Sequence, residues 1–292
     1  VEEIVFVSSA AGYRIVKLAN GSHSVHSLAH GETFHPVVGP VAEAEALYVR
    51  QLRLVERLQG HTGEFVLWDV GLGAAANAIT ALRATRKTPC SLRLVSFDHT
   101  LEPLEFALQH TEHLNYLAGY EPHLRRLLQD HHVAFKDGGQ AVSWDMRLAD
   151  FPSLLSQPGA RGLPKPHTIM FDAFSPAKNP AMWTQPLFAN LFQLLDPKRP
   201  CALPTYSRST MLRVTLLLAG FFVGAGHATG EKEETTLASN TLELIEEPLD
   251  RAWLQRAHRS TSAEPMWEPV YRQAPLGVGT WEKLQRHLQF RA

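Results

Sequence analysis

From residue 64 to about residue 247 the chain alternates between short apolar runs of strand character and stretches with helical spacing. The runs are "EFVLWDVG" (64–71), "SLRLVSFD" (91–98), "HVAFKD" (132–137), "AVSWDMRLAD" (141–150), "HTIMFD" (167–172) and "CALPTYS" (201–207), with two further strands expected near Phe221 and Thr235. Helical patterns fill the intervals over 74–86, 102–117, 121–129 and 183–195 and around 212–218. Parallel strands need such crossovers, so the alternation predicts an α/β fold with a doubly wound sheet and helices on both faces. With 45% hydrophobic and 20% charged residues among 292, the chain can bury a core of that size, which excludes disorder.

Ahead of this pattern stands "YRIVKLANGSHSVHS" (13–27), with alternating apolar residues on one side of Asn20-Gly21, the strongest short signal of a β-hairpin. Residues 41–59, after Gly39-Pro40, read as one helix. The expected organisation is an N-terminal hairpin and helix over 1–60, the α/β domain over 61–247, and an extension over 248–292 packed on the core.

Two cysteines, Cys90 and Cys201, lie far apart without a CxxC, which argues against a disulfide framework or a zinc knuckle. The acidic start "VEEIVFVSSA" does not read as an export signal, and the apolar run 214–226 is too short for a bilayer span and reads as a core helix running into a buried strand. A cytosolic location is expected, with no membrane partner. Fifteen histidines are many, but "HTEH" (110–113) and "DHH" (130–132) lack a ligand spacing and read as solvated, so no metal is expected. A formal charge of −1 leaves any nucleic-acid partner to a local basic patch.

Ligands of open α/β sheets bind outside the carboxyl ends of the strands. Four strands here are expected to end on a carboxylate: Asp69, Asp98, Asp150 and Asp172. Each alone is explained as a turn or cap residue; as a set they mark a shared cleft. In "DVGLGAAANAI" (69–79), Gly71 and Gly73 allow a close approach of backbone to ligand ahead of a helix N-terminus, near Asn77, while Ala76 stands where GxGxxG has its third glycine. A carboxylate at this place repels a pyrophosphate and suits a cation, which disfavours a nicotinamide cofactor. S-adenosylmethionine carries a sulfonium and an ammonium and no phosphate. Asp69 would then anchor its amino-acid part, Asp98 its ribose diol and Asp150 its adenine amine, which leaves Asp172 beside the transferred methyl.

Three passages carry a resemblance: "GSHSVHSLAHGETFHPVVGPVAEAEALYV" (21–49), "DVGLGAAANAI" and, above all, "FDAFSPAKNPAMWTQPLF" (171–188). They resemble the MnmC/MnmD group of S-adenosylmethionine-dependent methyltransferases, which act on 5-aminomethyl-2-thiouridine at the wobble position of tRNA. The resemblance runs over about residues 20–240 and implies a class I, Rossmann-like methyltransferase sheet, methyl transfer to an exocyclic amine, tRNA as a transient partner and a role in tRNA modification. The flavin oxidase domain of fused members is not expected in this sequence. Asp172 would orient the amine and assist its proton loss. Phe174 would stack on the base, Ser175 and Pro176 would stiffen the loop, Lys178 would reach phosphate and Tyr206 would line the substrate side. The structural alternative makes "DAFSP" a turn, with Phe174, Trp183 and Tyr206 in the core. The chain departs from the family at Arg208-Ser209-Thr210 and in the acidic "GEKEETTLAS" (230–239), leaving "HLRRLLQD" (123–130) and "DRAWLQRAHR" (250–259) as basic faces. Another amine substrate, or a binding module without catalysis, are the alternatives in function.

Overall fold

The computed structural model describes residues 5–10, 12–229 and 233–291, with the side chains of 5–10 left aside. The chain divides into two units: Val1–Asp150 with Met170–Asp172 and Ala228–Glu233, and Phe151–Ile169 with Ala173–His227 and Glu234–Ala292.

The first unit begins with an antiparallel sheet of β1 (Val5–Ala10), β2 (Tyr13–Lys17), β3 (His23–Ser27) and β4 (Glu32–Thr33), in chain order. The expected hairpin is β2 and β3, closed by a wider loop than a two-residue turn: Leu18 N donates to Ser22 O at 2.8 Å, and Asn20 Oδ1 accepts from Ser22 N at 3.0 Å.

The single helix expected over 41–59 is broken. It consists of α1 (Pro40–Ala44), a wider π-helical segment (Glu45–Arg50) and α2 (Leu54–Gln59), and Arg53 before α2 has φ 48°. The widening is visible in Gln51 N, which donates five residues back, to Ala46 O, at 3.2 Å. The cause lies in the apolar run: Leu47, Tyr48, Val49, Leu52 and Leu54 are all buried. One regular helix cannot turn consecutive residues to one narrow stripe, so the π segment and the left-handed residue re-phase the chain.

The α/β part of this unit contains β5 (Glu64–Val70), α3 (Ala76–Thr85), β6 (Ser91–Asp98), α4 (Glu102–Gln109), α5 (Glu121–Asp130), β7 (His132–Asp137) and β8 (Gln140–Leu148). β5, β6 and β8 are parallel neighbours in that order, and β7 closes the edge antiparallel to β8. On the other side of β5 lie Met170 and Phe171 of β9 (Thr168–Phe171), with Asp172 N donating to Val70 O at 3.0 Å. Leu67, Trp68, Val70, Leu94 and Val95 are inaccessible, as expected of strands covered on both faces. The helix expected over 102–117 stops at Gln109, and a separate 3₁₀ turn follows at Asn115–Leu117. His110 explains the stop. Its ring nitrogen lies 2.8 Å from Phe106 O, the carbonyl a further α turn would use, and its backbone N–H turns to Ala107 O. His110 is therefore buried against Phe106 rather than solvated.

In the second unit the strand order is β13 (Glu247–Pro248), β11 (Phe222–Gly226), β12 (Thr235–Ser239), β10 (Ala202–Thr205) and the Thr168 end of β9. β9 and β10 are parallel, and the remaining pairs are antiparallel. Its helices are α6 (Phe151–Ser156), α7 (Gln185–Leu194), α8 (Thr210–Ala219), α9 (Arg251–Arg259) and α10 (Val278–Gln285). The apolar run 214–226 is the end of α8, a left-handed Gly220 at φ 110°, and β11, as its sequence predicts. Residues after 248 join this unit through Gln289, whose side chain accepts from Val223 N and donates to Val223 O and Leu249 O. Cys90 and Cys201 are free and buried. Among the described residues no helix is long and apolar enough to cross a membrane.

The broken helix makes a prediction. A left-handed Arg53 costs about 1 kcal/mol relative to glycine, so Arg53→Gly should hold or raise stability in urea unfolding. A continuous helix would instead lose about 1 kcal/mol on the same substitution.

Candidate functional site

In the first unit the chain winds outward from β5 through β6 to β8 and then returns to the opposite side of β5 with β9. Such a reversal opens a crevice at the carboxyl ends of the two strands that part. Asp69 is the penultimate residue of β5, Asp98 the last of β6, and Asp172 follows β9 directly. Asp150 differs from its expected place at a strand end: β8 stops at Leu148, and Asp150 is exposed.

The loop after β5 is shaped by backbone that most side chains avoid. Gly71 has φ 92° and donates to Phe97 O at 2.9 Å, and Gly73 has φ 50°. A Cβ on Gly73 would lie 3.1 Å from the ring of Phe34, so glycine also answers a packing demand there. Gly73 N donates to Asp98 Oδ2 at 3.0 Å, and His99 N donates to Asp98 Oδ1 at 2.8 Å. The Asp98 carboxylate is thus locked between the β6 end and the loop after β5. His99 lies against it, with Nδ1 3.2 Å from Oδ1. This hydrogen bond, together with the nearby charges of Asp98 and Asp150, raises the imidazole above its usual pKa against the effect of burial.

Asp69 is wholly inaccessible. Its Oδ2 accepts from Ser96 Oγ at 2.8 Å, and Ser96 Oγ accepts in turn from Trp144 Nε1 at 2.9 Å. Its Oδ1 has no hydrogen-bond partner among the described residues. Burial first, and the charges of Asp172 and Asp98 after it, push its carboxyl up to about 8, with the Ser96 bond opposing.

Asp172 Oδ2 accepts from Asn77 Nδ2 at 2.7 Å, Asn77 standing in the first turn of α3. Asn77 Oδ1 is buried and lacks a partner among the described residues. Two residues that the sequence reading did not single out complete the cluster. His35 Nε2 lies 3.5 Å from Asp172 Oδ2, and its Nδ1 lies 4.0 Å from Glu43 Oε2. Both fall within the passage 21–49, where no local pattern marks either residue. Tyr48 also donates to Phe171 O, at 3.3 Å, and steadies the strand end that carries Asp172.

In the second unit the segment that continues from Asp172 is tightly tied. Phe174 is half-buried, and its carbonyl accepts from Trp183 Nε1 at 2.7 Å. Ser175 O accepts from Lys178 N at 2.9 Å and Asn179 N at 2.8 Å, a turn that contains Pro176 and leaves Lys178 exposed. Tyr206 is half-buried, donates to Ala173 O at 3.0 Å and meets the Trp183 ring edge-on at 6.0 Å. Trp183 is fully buried. Arg208 is exposed, and Glu234 pairs with the buried Arg213 at 3.1 Å, so that acid is neutralised; Gly230, Glu231 and Lys232 lie outside the described residues. α9 turns Arg251, Arg256 and Arg259 to solvent, and in the first unit α5 does the same with Arg125 and Arg126, although Arg126 is paired with Asp130.

Among the described residues no group of three His, Cys, Asp or Glu is placed to hold a metal ion. The first-unit crevice offers carboxylates where a nucleotide phosphate would need cations, and the Asn77 amide oxygen beside them is a buried acceptor. These acceptors suit a ligand with an ammonium and a ribose diol, which S-adenosylmethionine has.

The comparisons agree with that chemistry. A family model described as S-adenosyl-L-methionine-dependent methyltransferase matches residues 117–241. The tRNA 5-methylaminomethyl-2-thiouridine biosynthesis bifunctional protein MnmC of Methylibium petroleiphilum is 29% identical over 249 residues, 81% of this chain and 36% of that protein. Its counterpart in Ectopseudomonas mendocina is 27% identical over 243 residues, covering 79% and 35%. The chain therefore spans about a third of the length of these curated relatives. The crystal structure of MnmC2 from Aquifex aeolicus superposes with a TM-score of 0.68 at 22% identity, covering 97% of this chain and 86% of that one, and shows the fold to be shared.

Asp69 yields a pH prediction. A carboxyl held protonated to about pH 8 in the folded state contributes stability present below about pH 4 and lost as pH rises toward 8. Asp69→Asn keeps the neutral form throughout. In urea unfolding of the ligand-free protein its stability relative to wild type should climb from pH 5 to pH 8, by roughly 1 kcal/mol per pH unit. A pH-independent difference would contradict the shift.

Proposed function

We propose that the chain is a methyltransferase of the MnmC type, which methylates the exocyclic amine of 5-aminomethyl-(2-thio)uridine at the wobble position of tRNA, in the cytosol, with S-adenosylmethionine as donor; the matches to a methyltransferase family model and to MnmC relatives support this reading. The observation that carries this reading is Asp172, held by Asn77 at 2.7 Å in the crevice beside β5 and followed directly by the Ala173–Phe174 segment.

S-adenosylmethionine supplies the electrophilic methyl group. Asp69 and Asn77 would hold its amino-acid part, Gly71 and Gly73 would let it approach the backbone, and Asp98, fixed by Gly73 N and His99 N, would accept from its ribose hydroxyls. Asp150 beside His99 would receive the adenine amine. A buried carboxylate partnered by an ammonium is stabilised in its charged form, so cofactor binding would draw the proton off Asp69.

The remaining residues act on the acceptor. An alkylamine is largely protonated at neutral pH and must lose a proton before it is a nucleophile. Asp172 would accept the amine's hydrogen bond, aim its lone pair and take its proton. Phe174, half-buried and hydrogen-bonded through its carbonyl, would stack on the flipped base. The Ser175–Pro176 turn and the Tyr206 hydroxyl would fix that segment, with Lys178 meeting phosphate. With a net charge of −1, either Arg256 and Arg259 of α9 or Arg125 of α5, all exposed, would supply a local attraction that the chain lacks globally.

The roles separate by mutation. Asp172→Ala should leave S-adenosylmethionine affinity within about threefold and lower methyl transfer to tRNA bearing the aminomethyl group by about 100-fold or more. Asp98→Ala should weaken cofactor binding by about 10-fold. Full activity in Asp172→Ala would remove the catalytic assignment, and unchanged affinity in Asp98→Ala would remove the ribose assignment.

A further inference from the structure

Asn77 is not the only group on Asp172. His35 lies between two carboxylates, Asp172 on its Nε2 side and Glu43 on its Nδ1 side, and the His35 and Glu43 side chains are only 8% and 10% exposed. The backbone of His35 has φ 49° and directly precedes Pro36. A left-handed histidine costs about 1 kcal/mol, and such strain persists where the surroundings over-determine it. Glu43 is equally unusual as a buried carboxylate on a five-residue helix.

We propose that His35 is a positioning residue for Asp172 and the acceptor of the proton that Asp172 takes from the substrate amine, with Glu43 holding the ring. The inference rests on the amine-methylation reading above. For this step the ring would carry its hydrogen on Nδ1, on the Glu43 side, and turn the Nε2 lone pair to Asp172. An ammonium N–H bond breaks as its proton forms an O–H bond with Asp172, which leaves the nitrogen lone pair free to attack. That O–H bond then breaks as the proton forms an N–H bond at His35 Nε2. Asp172 is again an anion able to orient the amine, and the imidazolium stands between the two carboxylates. The proton passes to solvent after the product leaves.

His35→Gly tests this, because glycine accepts φ 49° without strain and leaves the backbone in place while emptying the space of the ring. Turnover on tRNA carrying the aminomethyl group should fall about 10- to 100-fold, with S-adenosylmethionine affinity within about twofold of wild type. Added imidazole should restore most of the lost rate in a saturable way, and calorimetry should detect imidazole binding to His35→Gly but not to wild type. Glu43→Gln should lower turnover and leave cofactor affinity and the KM for tRNA unchanged. Wild-type turnover in His35→Gly, or a loss that imidazole does not restore in a variant that still binds S-adenosylmethionine, would overturn the proposal. If His35→Gly does not fold, Glu43→Gln decides, and unchanged turnover there overturns it. Absence of transfer by the wild type itself would instead fell the functional reading, and the proton step with it.

Discussion

The burial of a carboxylate, Asp69, governs the crevice at the end of β5. Asp69, Asp98 and Asp172 converge there, and the charges of the latter two add to the burial that raises Asp69. The molecule answers the three in different ways. Asp98 is tied by backbone N–H groups, Asp172 takes the Asn77 amide with His35 nearby, and Asp69 remains protonated to about pH 8. The result is a site with one stored proton and buried acceptors, disposed toward a cationic ligand and against a phosphate-bearing one.

The geometry that produces this crowding was legible in the sequence because it follows from strand period and chain order. The apolar runs that became β5, β6 and β9 were bounded closely, since strands covered on both faces are nearly continuous in hydrophobicity. What escaped reading depended on tertiary demands. The run 41–59 looked like one helix, but three consecutive buried residues, Leu47 to Val49, required a change of phase that periodicity does not encode. Helix α4 ended early through a side chain bonding to the backbone, and that same bond buried a histidine expected in water. Asp150 fell outside its strand because β8 stopped two residues sooner.

The candidate site was legible in the same partial way. Carboxylates at strand ends and glycines before a helix are local signals, and they pointed to Asp69, Gly71, Gly73, Asp98 and Asp172. His35 and Glu43 come from the segment before β5 and reach Asp172 only through folding, about 130 residues away in sequence. The left-handed backbone at His35, next to a proline, has no signature in composition. For an amine substrate the barrier to methyl transfer includes removing a proton from the nucleophile, the step proposed for these two residues.

The central claim is that the acceptor is the aminomethyl group of a tRNA wobble uridine. The most direct measurement is transfer of labelled methyl from S-adenosylmethionine to tRNA from cells lacking this modification step, beside fully modified tRNA, with the labelled nucleoside identified by mass spectrometry. Label confined to the unmodified pool, on the methylaminomethyl uridine, is the predicted result. Equal labelling of both pools, or none in a protein that binds S-adenosylmethionine, would contradict it.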